Sequence, residues 1–234
     1  MKVEGISLPR ANKRLTELYN RAIELADGND IIADVGTDHG YLAAMLAKSG
    51  KYNKVIATDI SAPSLQKAQL LAEKLKLNIE TRVGDGLQVV QDVNFACICG
   101  MGGYEIIKII TDNKTVNKFV FQPVQNAMEL REYLLKNKYK IIKDYVVADK
   151  DKFYTIITVN GYGKNIYKKH EKLLGKNNIQ NIEFVQYLQN QLNKLKFLEK
   201  FDITSIDKKQ RKDIRQKIKF RKICQKILKQ VGSV

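Results

Sequence analysis

The segment that decides the fold of this 234-residue chain is Ile31–Leu42, which has the sequence Ile-Ile-Ala-Asp-Val-Gly-Thr-Asp-His-Gly-Tyr-Leu. Its first five residues form a short apolar run that stops at Gly36, a pattern typical of a buried strand. The residues from Tyr41 onward have helical character, so Gly36 and Gly40 lie between a strand and a helix. We therefore predict a strand, a glycine loop and a helix in direct succession.

Strand-like and helix-like segments alternate along the first 160 residues. Because parallel neighbouring strands need crossover helices, this alternation predicts a Rossmann-like α/β fold with a doubly wound, mostly parallel sheet. The last two strand segments have no helix between them, which predicts a hairpin and an antiparallel strand at one edge. A helix over residues 8–26 leads the chain. The strand segments are residues 31–35, 55–58, 79–83, 95–99, 119–121, 141–148 and 154–159.

Positive charge is concentrated in the last third of the chain. Residues 1–160 carry 22 Lys and Arg against 19 Asp and Glu, whereas residues 161–234 carry 19 against six. Apolar residues in this tail recur at intervals of three and four on both sides of a break at 202–205, which predicts two helices paired antiparallel in a coiled coil. We expect two domains, 1–160 and 161–234. The second should attract a polyanion, with nucleic acid preferred over an anionic membrane surface.

Composition narrows the cellular setting. No apolar run reaches the roughly 18 to 20 residues that span a bilayer, and the first residues lack the pattern of a signal peptide. We expect a cytoplasmic protein with no membrane partner. Cys97, Cys99 and Cys224 form no metal-type pair, and the first two lie in an apolar strand segment, so we interpret them as reduced core thiols and predict no metal.

The glycine loop has a charge pattern that selects among nucleotide-like ligands. Glycine lets a backbone approach a ligand closely, and the N-terminus of the following helix offers free N–H groups, so Gly36 and Gly40 suit such a molecule. The spacing G-x-x-x-G differs from the dinucleotide pattern, and the acids Asp34 and Asp38 would repel a pyrophosphate. S-adenosylmethionine has no phosphate and carries a cationic sulfonium and amino group. The loop therefore favours this methyl donor over NAD or ATP.

Two further acids follow successive strands. Asp59 ends the second strand, where a carboxylate can accept two hydrogen bonds from a ribose diol, and Asp85 follows the third, where it can contact the adenine edge. Each feature alone has an ordinary explanation as a turn or a helix cap. Because all of them lie at the carboxyl edge of the predicted sheet, where ligands bind in such folds, a donor pocket is the better interpretation.

Five segments together resemble the bacterial tRNA (adenine-22-N1)-methyltransferases of the TrmK type. The resemblance extends over nearly the whole chain and implies a class I methyltransferase fold, a C-terminal tRNA-binding domain and methylation of N1 of adenine 22 in tRNA. It adds Thr37, His39, Gly86, Gly100, Met101 and Gly102 to the donor-binding residues Asp34, Gly36, Asp38, Gly40, Asp59 and Asp85. The five segments are Asp34–Leu42, Gly84–Leu87, Gly100–Gly103, Gln122–Pro123 and Leu130–Arg131.

The implied reaction suggests roles for three loop residues. Asp38 and His39 lie nearest the expected methyl group and could neutralise the cationic product or accept a proton, although a neutral adenine N1 needs no general base and His39 could simply hydrogen-bond the loop. Tyr41 and Tyr104 are candidate stacking faces for an exposed adenine. Gln122, at the end of the fifth strand, either faces the base or merely ends the strand.

Two other functions remain compatible with the same fold. The chain could methylate a small molecule and use its basic tail for another purpose, or it could bind RNA without catalysis. The first would turn over without RNA, and the second would not bind S-adenosylmethionine. We expect a monomer or a weak dimer.

Overall fold

The computed structural model describes residues 2–3, 6–7, 12–113, 115–176, 181–199, 201 and 207–231. The chain divides into two compact units. We call residues 1–176 the α/β unit and residues 177–234 the helical unit.

The α/β unit is built on a seven-stranded sheet. The large sheet contains β3 (Ile31–Val35), β4 (Lys54–Asp59), β5 (Glu80–Val83), β6 (Phe95–Gly102), β7 (Lys118–Gln125), β8 (Tyr139–Asp149) and β9 (Lys152–Tyr162). A separate two-stranded sheet pairs β1 (Lys2–Val3) with β2 (Ile6–Ser7). The strand order of the large sheet is β5-β4-β3-β6-β7-β9-β8, with β3 to β7 parallel and β9 antiparallel to both of its neighbours.

Helices cover both faces of this sheet, and an apolar core fills each side. One core lies under the first two helices and includes Ile32, Leu46 and Val120; the other includes Ile98, Ile106 and Phe121. The predicted Rossmann-like α/β fold with a doubly wound, mostly parallel sheet is confirmed. The helices are α1 (Lys13–Leu25), α2 (Tyr41–Ser49), α3 (Ala62–Leu75), α4 (Gly103–Thr111), α5 (Ala127–Lys136) and α6 (Lys169–Leu174).

Two strands differ in detail from the sequence prediction. The expected hairpin is present, but its second strand β9 inserts between β7 and β8, so the antiparallel strand lies one place in from the edge. The predicted loop at Gly100–Gly102 continues β6, with irregular register where Met101 pairs with Pro123. The leading helix begins at Lys13, and the part predicted over residues 8–11 lies outside the described residues.

The α/β unit extends beyond the predicted boundary at residue 160. The buried Arg131 forms a double hydrogen bond with Asp144 at 2.8 and 2.9 Å, and Tyr167 donates to the same carboxylate at 3.0 Å. Arg131 also donates to the carbonyl of Leu173 at 3.2 Å. A buried ion pair needs such additional hydrogen bonds, so residues 163–176 belong with the sheet.

The helical unit contains α7 (Ile182–Lys194), a 3₁₀ turn (Lys196–Glu199) and α8 (Lys208–Val231). Among its apolar side chains, Ile182 is 70% exposed and Cys224 is fully buried. The predicted break at 202–205 lies outside the described residues. In the described part of the chain, no helix combines the length and apolar character needed to cross a bilayer. The buried side chains are Phe184, Leu188, Leu198, Ile214, Cys224 and Ile227.

Candidate active site

A cavity of about 350 Å³ opens at the carboxyl ends of β3 and β6, where ligands bind in open α/β sheets. Seven of the predicted site residues line it, and six of them belong to the segment Ile31–Leu42. The lining residues are Asn12, Arg14, Leu15, Leu18, Asp34, Gly36, Thr37, Asp38, His39, Tyr41, Leu42, Cys99 and Gly100.

The loop between β3 and α2 is fixed to the neighbouring strand and helix. The backbone N–H groups of Gly36 and Thr37 both donate to the carbonyl of Thr58, at 2.8 and 3.0 Å. Gly40 has a left-handed backbone with φ of +71°, and a Cβ placed on it would lie 2.7 Å from the Cβ of Ala68 in α3. Only glycine satisfies both the backbone angle and this close approach.

Asp34 is a buried acid at the floor of the cavity. It accepts a hydrogen bond from the Thr37 hydroxyl at 2.7 Å. Burial raises the pKa of Asp34 to about 6, while hydrogen bonds from Thr37 and from the Ala43 backbone limit the rise. A carboxylate in this position binds a cation well, because little water screens it.

Asp38, His39 and Tyr41 form the outer part of the same loop. The His39 Nε2 atom lies 3.4 Å from a carboxylate oxygen of Asp38, and the His39 ring stacks on Tyr41 with centroids 5.5 Å apart. The Asp38 side chain is 65% exposed, and its backbone N–H points to the Asp59 carboxylate at 3.4 Å. The structure thus brings together the three residues that were predicted from the sequence as candidates for catalysis.

Arg14 is a cavity residue that the sequence analysis missed. It follows Asn12, whose side chain caps α1 by accepting from the backbone N–H of Leu15 at 2.9 Å. Its guanidinium donates to Gln122 Oε1 at 2.8 Å and lies 5.3 Å from the centre of the Tyr154 ring. The capping pattern locates the start of the helix, but nothing in the sequence indicates that this helix end meets the ends of β7 and β9.

Gln122 lies beneath Arg14 in a fully buried position. An arginine can only donate hydrogen bonds, so the amide oxygen must face it and the Nε2 group must face away. That Nε2 group has no hydrogen-bond partner among the described residues. Gln122 therefore lies behind the cavity lining and holds the Arg14 guanidinium in place by this hydrogen bond.

Other predicted donor-binding residues lie around the cavity. Asp59 uses its carboxylate to accept from the backbone N–H of Ser61 at 2.8 Å, and Asp85 approaches Lys108 at 3.4 Å. The end of the Met101 side chain lies where a Cβ on Gly36 would be. The structure places Gly86 against Ile109 and Gly102 against Gln125, and neither these five residues nor Gly40 lines the cavity itself.

The charges in and around the cavity suit a ligand with both signs of charge. Asp34 and Asp38 are negative, Arg14 is positive, and the apolar side chains of Ile60 and Val83 are exposed after β4 and at the end of β5. Within the described residues, no group of three or more His, Cys, Asp or Glu side chains could hold a metal ion. This arrangement fits a nucleoside whose side chain carries both positively charged groups and a carboxylate.

A family model described as a methyltransferase domain matches residues 12–157, more than half of the chain. A Mycoplasma genitalium protein named as a candidate tRNA methyltransferase is 33% identical over 134 residues, covering 55% of this chain and 61% of its own length. A Bacillus subtilis tRNA (adenine(22)-N(1))-methyltransferase is 29% identical over 152 residues, covering 62% and 64%. The chain thus spans less than two thirds of these relatives.

The fold also matches solved structures. Mycoplasma capricolum TrmK, solved in complex with the cofactor product S-adenosyl-homocysteine, superposes with a TM-score of 0.75 at 24% identity. The match covers 92% of this chain and 99% of that one. At this identity the likeness establishes the fold alone.

Proposed function

Because the chain belongs to the family of methyltransferase domains, we propose that it transfers a methyl group from S-adenosylmethionine to N1 of adenine 22 in tRNA. The observation that carries this proposal is the acid-lined glycine loop with Arg14 facing it across one cavity. The names of the Mycoplasma genitalium and Bacillus subtilis relatives support tRNA as the substrate. The resemblance first drawn from the sequence motifs is confirmed by these matches.

We propose one protein group for each charge of the donor. Asp34 and Asp38 accept the cationic amino and sulfonium end, and Arg14 binds the carboxylate through a charge-assisted hydrogen bond. Asp59 accepts from the ribose diol, as carboxylates do after the second strand of such folds. The exposed Ile60 and Val83 then contact the adenine ring beside Asp85. Thr37, Gly86, Gly100, Met101 and Gly102 complete this proposed pocket.

The chemistry needs positioning more than it needs proton transfer. The sulfonium carbon is electrophilic and adenine N1 is a neutral nucleophile, so the protein has to hold N1 in line with the S–CH₃ bond and exclude water. The alkylated base becomes a cation. We propose that Tyr41 stacks on the exposed adenine and that Asp38, beside His39, stabilises this cation.

The substitution Asp38→Asn tests that role, because it removes the charge and tolerates the left-handed backbone, whose φ is +48° at this position. We expect kcat at saturating donor and tRNA to fall about tenfold, a modest effect because water screens the exposed carboxylate. Single-turnover methylation of tRNA measures this. Full turnover at saturation would leave Asp38 with a role in donor binding only.

Donor binding should weaken in acid because of Asp34. As the pH falls through about 6, this carboxylate takes up a proton and no longer attracts the cationic donor. The Kd for S-adenosylmethionine should increase up to about tenfold per pH unit below 6, measured by calorimetry. The Asp34→Asn variant should bind S-adenosylmethionine weakly at every pH, and its Kd should not change with pH in this range.

The pH dependence that Asp34 gives to protein stability should be opposite to that of donor affinity. The pKa of Asp34 is higher in the folded chain than its ordinary value of 3.8, so the folded state binds this proton more tightly. The Asp34 contribution to the free energy of unfolding therefore decreases as pH rises from about 4 to about 6 and is constant above that. If donor affinity and the free energy of unfolding changed with pH in the same direction, the proposed role of Asp34 in binding the donor would be contradicted.

The helical unit is the proposed tRNA-binding part. Its helix α8 carries 11 Lys and Arg and a single acid, Asp213, in 24 residues. Neutralising RNA phosphates with such a helix releases counterions and gives salt-dependent affinity. We expect a cytoplasmic monomer or weak dimer that acts on tRNA there.

Mapping the methylated atom tests the proposed function directly. Unmodified tRNA is incubated with the protein and labelled donor, and the modified nucleoside and its position are identified. We expect 1-methyladenosine at position 22. Turnover of small molecules without RNA would favour a small-molecule enzyme, and a lack of donor binding would favour a non-catalytic RNA-binding protein.

A further inference from the structure

Two phenylalanines of the helical unit are exposed side by side. Phe197 belongs to the 3₁₀ turn and Phe201 follows it, and they are 52% and 39% exposed. Their ring centroids lie 6.1 Å apart with an interplanar angle of 84°, so the edge of one ring faces the other. We call these two rings the aromatic pair. Exposed rings of this size in a strongly charged unit have little value for packing, since the neighbouring Leu198 already supplies the buried contact.

The aromatic pair lies beside the middle of α8. Glu199, between the two phenylalanines in sequence, forms an ion pair with Arg221, which is the fourteenth residue of that helix. Lys194 and Lys196 are exposed just before the pair. Cations therefore flank the rings both along the chain and on the adjacent helix.

Two described acids of this unit are already engaged. Asp213 pairs with Lys217 at 2.7 Å, and Asp207 accepts from the backbone N–H groups of Lys209 and Gln210 at the start of α8. With 11 Lys and Arg and one acid, α8 itself carries a large excess of positive charge. An open groove of about 720 Å³ runs along one side of the helix, lined by Asp207, Lys208, Arg211, Lys212, Arg215, Gln216 and Lys219.

From these observations we infer that the aromatic pair is a stacking platform for unpaired bases of an RNA whose phosphates contact the cations of the helical unit. Cations that track the backbone and aromatic rings that receive bases are the two parts of a single-strand binding surface. A continuous duplex offers phosphates but no free base face. The inference rests on the proposed RNA-binding role of the helical unit and adds that the unit selects RNA with unpaired nucleotides.

The test uses the full chain with Phe197→Leu and Phe201→Leu combined, which removes the aromatic faces and keeps apolar side chains. We expect the Kd for a tRNA transcript and for a single-stranded oligonucleotide to increase about tenfold or more. The slope of log K against log salt should stay unchanged, because no phosphate contact is lost. Binding to a blunt RNA duplex should equal that of the parent.

Two matched variants separate stacking from other effects. Ile182→Ala removes another exposed apolar side chain of the same unit and should leave all three affinities unchanged. Lys212→Gln with Arg215→Gln should weaken tRNA and duplex binding alike and make the salt slope shallower. The helix content of each variant is checked by circular dichroism.

Three results would overturn the inference. They are unchanged tRNA affinity in the double leucine variant, an equal loss of affinity for duplex and single strand, or a change in molecular mass in solution, which would assign the aromatic pair to contact between two copies of the chain. Binding is measured without the donor. A chain that binds tRNA through the pair but does not methylate it would therefore refute the proposed function and not this inference.

Discussion

A chain that ends at Lys176 is expected to bind S-adenosylmethionine as tightly as the full chain and to methylate tRNA with a kcat/KM about a thousandfold lower. All the residues that line the cavity belong to the α/β unit, so the donor pocket is complete without the tail. The removed residues carry 14 Lys and Arg against five Asp and Glu. Losing several phosphate contacts costs orders of magnitude in RNA affinity.

The position of the cut is part of this prediction. A chain ending at residue 160 lacks Tyr167 and the carbonyl of Leu173, both of which hydrogen-bond the buried pair of Arg131 and Asp144. Leaving a buried ion pair partly unsatisfied costs several kcal/mol. This shorter chain should therefore unfold at a lower temperature and lose donor binding as well.

Calorimetry with the donor and methylation assays at two salt concentrations distinguish the outcomes. The full chain should lose activity steeply as salt increases, and the chain ending at Lys176 should be slow at both concentrations with a shallow dependence. If the chain ending at Lys176 methylated tRNA as efficiently as the full chain, the basic tail would reflect composition rather than RNA binding.

The fold could be predicted from the sequence because its main signals are local. The apolar run at Ile31–Val35 and the spacing of Tyr41 and Leu42 identify a strand and a helix without reference to the rest of the chain. The place of β9 could not be predicted in this way. It depends on which neighbour offers free hydrogen-bonding groups, and the alternation of residues along a hairpin is the same for either strand order.

The candidate site shows the same division between local and distant contacts. Asp34, Asp38 and His39 lie within six consecutive residues at the end of β3 and in the loop that follows it, so their proximity follows from the sequence. Arg14 is distant in sequence, and it reaches the cavity because α1 packs across the sheet and Gln122 holds its guanidinium. The boundary predicted at residue 160 lies before the end of the α/β unit at Lys176 for a related reason. Residues 163–176 contain no strand pattern and are held by contacts with Arg131 and Asp144.

Substituting Gly40 by alanine should weaken S-adenosylmethionine binding about a hundredfold or more, whereas Gly50→Ala should leave it unchanged. Both glycines flank α2 and both have left-handed backbones, with φ of +71° and +65°. Each substitution therefore places alanine in a conformation that costs about 1–2 kcal/mol. The cost in unfolding free energy from the backbone alone should be similar for the two variants.

The surroundings of the two positions differ. A Cβ on Gly50 meets no atom within 4 Å, but a Cβ on Gly40 lies 2.7 Å from the Cβ and 2.8 Å from the Cα of Ala68. Because α3 cannot yield at its backbone, the loop that carries Asp38 and His39 must move away from it. Loss of one or two hydrogen bonds to the charged donor, at about 1.5–3 kcal/mol each, weakens binding on the order of a hundredfold.

Calorimetric titration with the donor and urea unfolding of both variants measure the two effects separately. The expected pattern is a loss of binding in Gly40→Ala that far exceeds the difference in stability between the variants. Equal donor affinities would mean that the close contact with Ala68 serves only to pack α2 against α3. The acid-bearing loop would then owe its geometry to the hydrogen bonds from Gly36 and Thr37 to Thr58, which both variants retain.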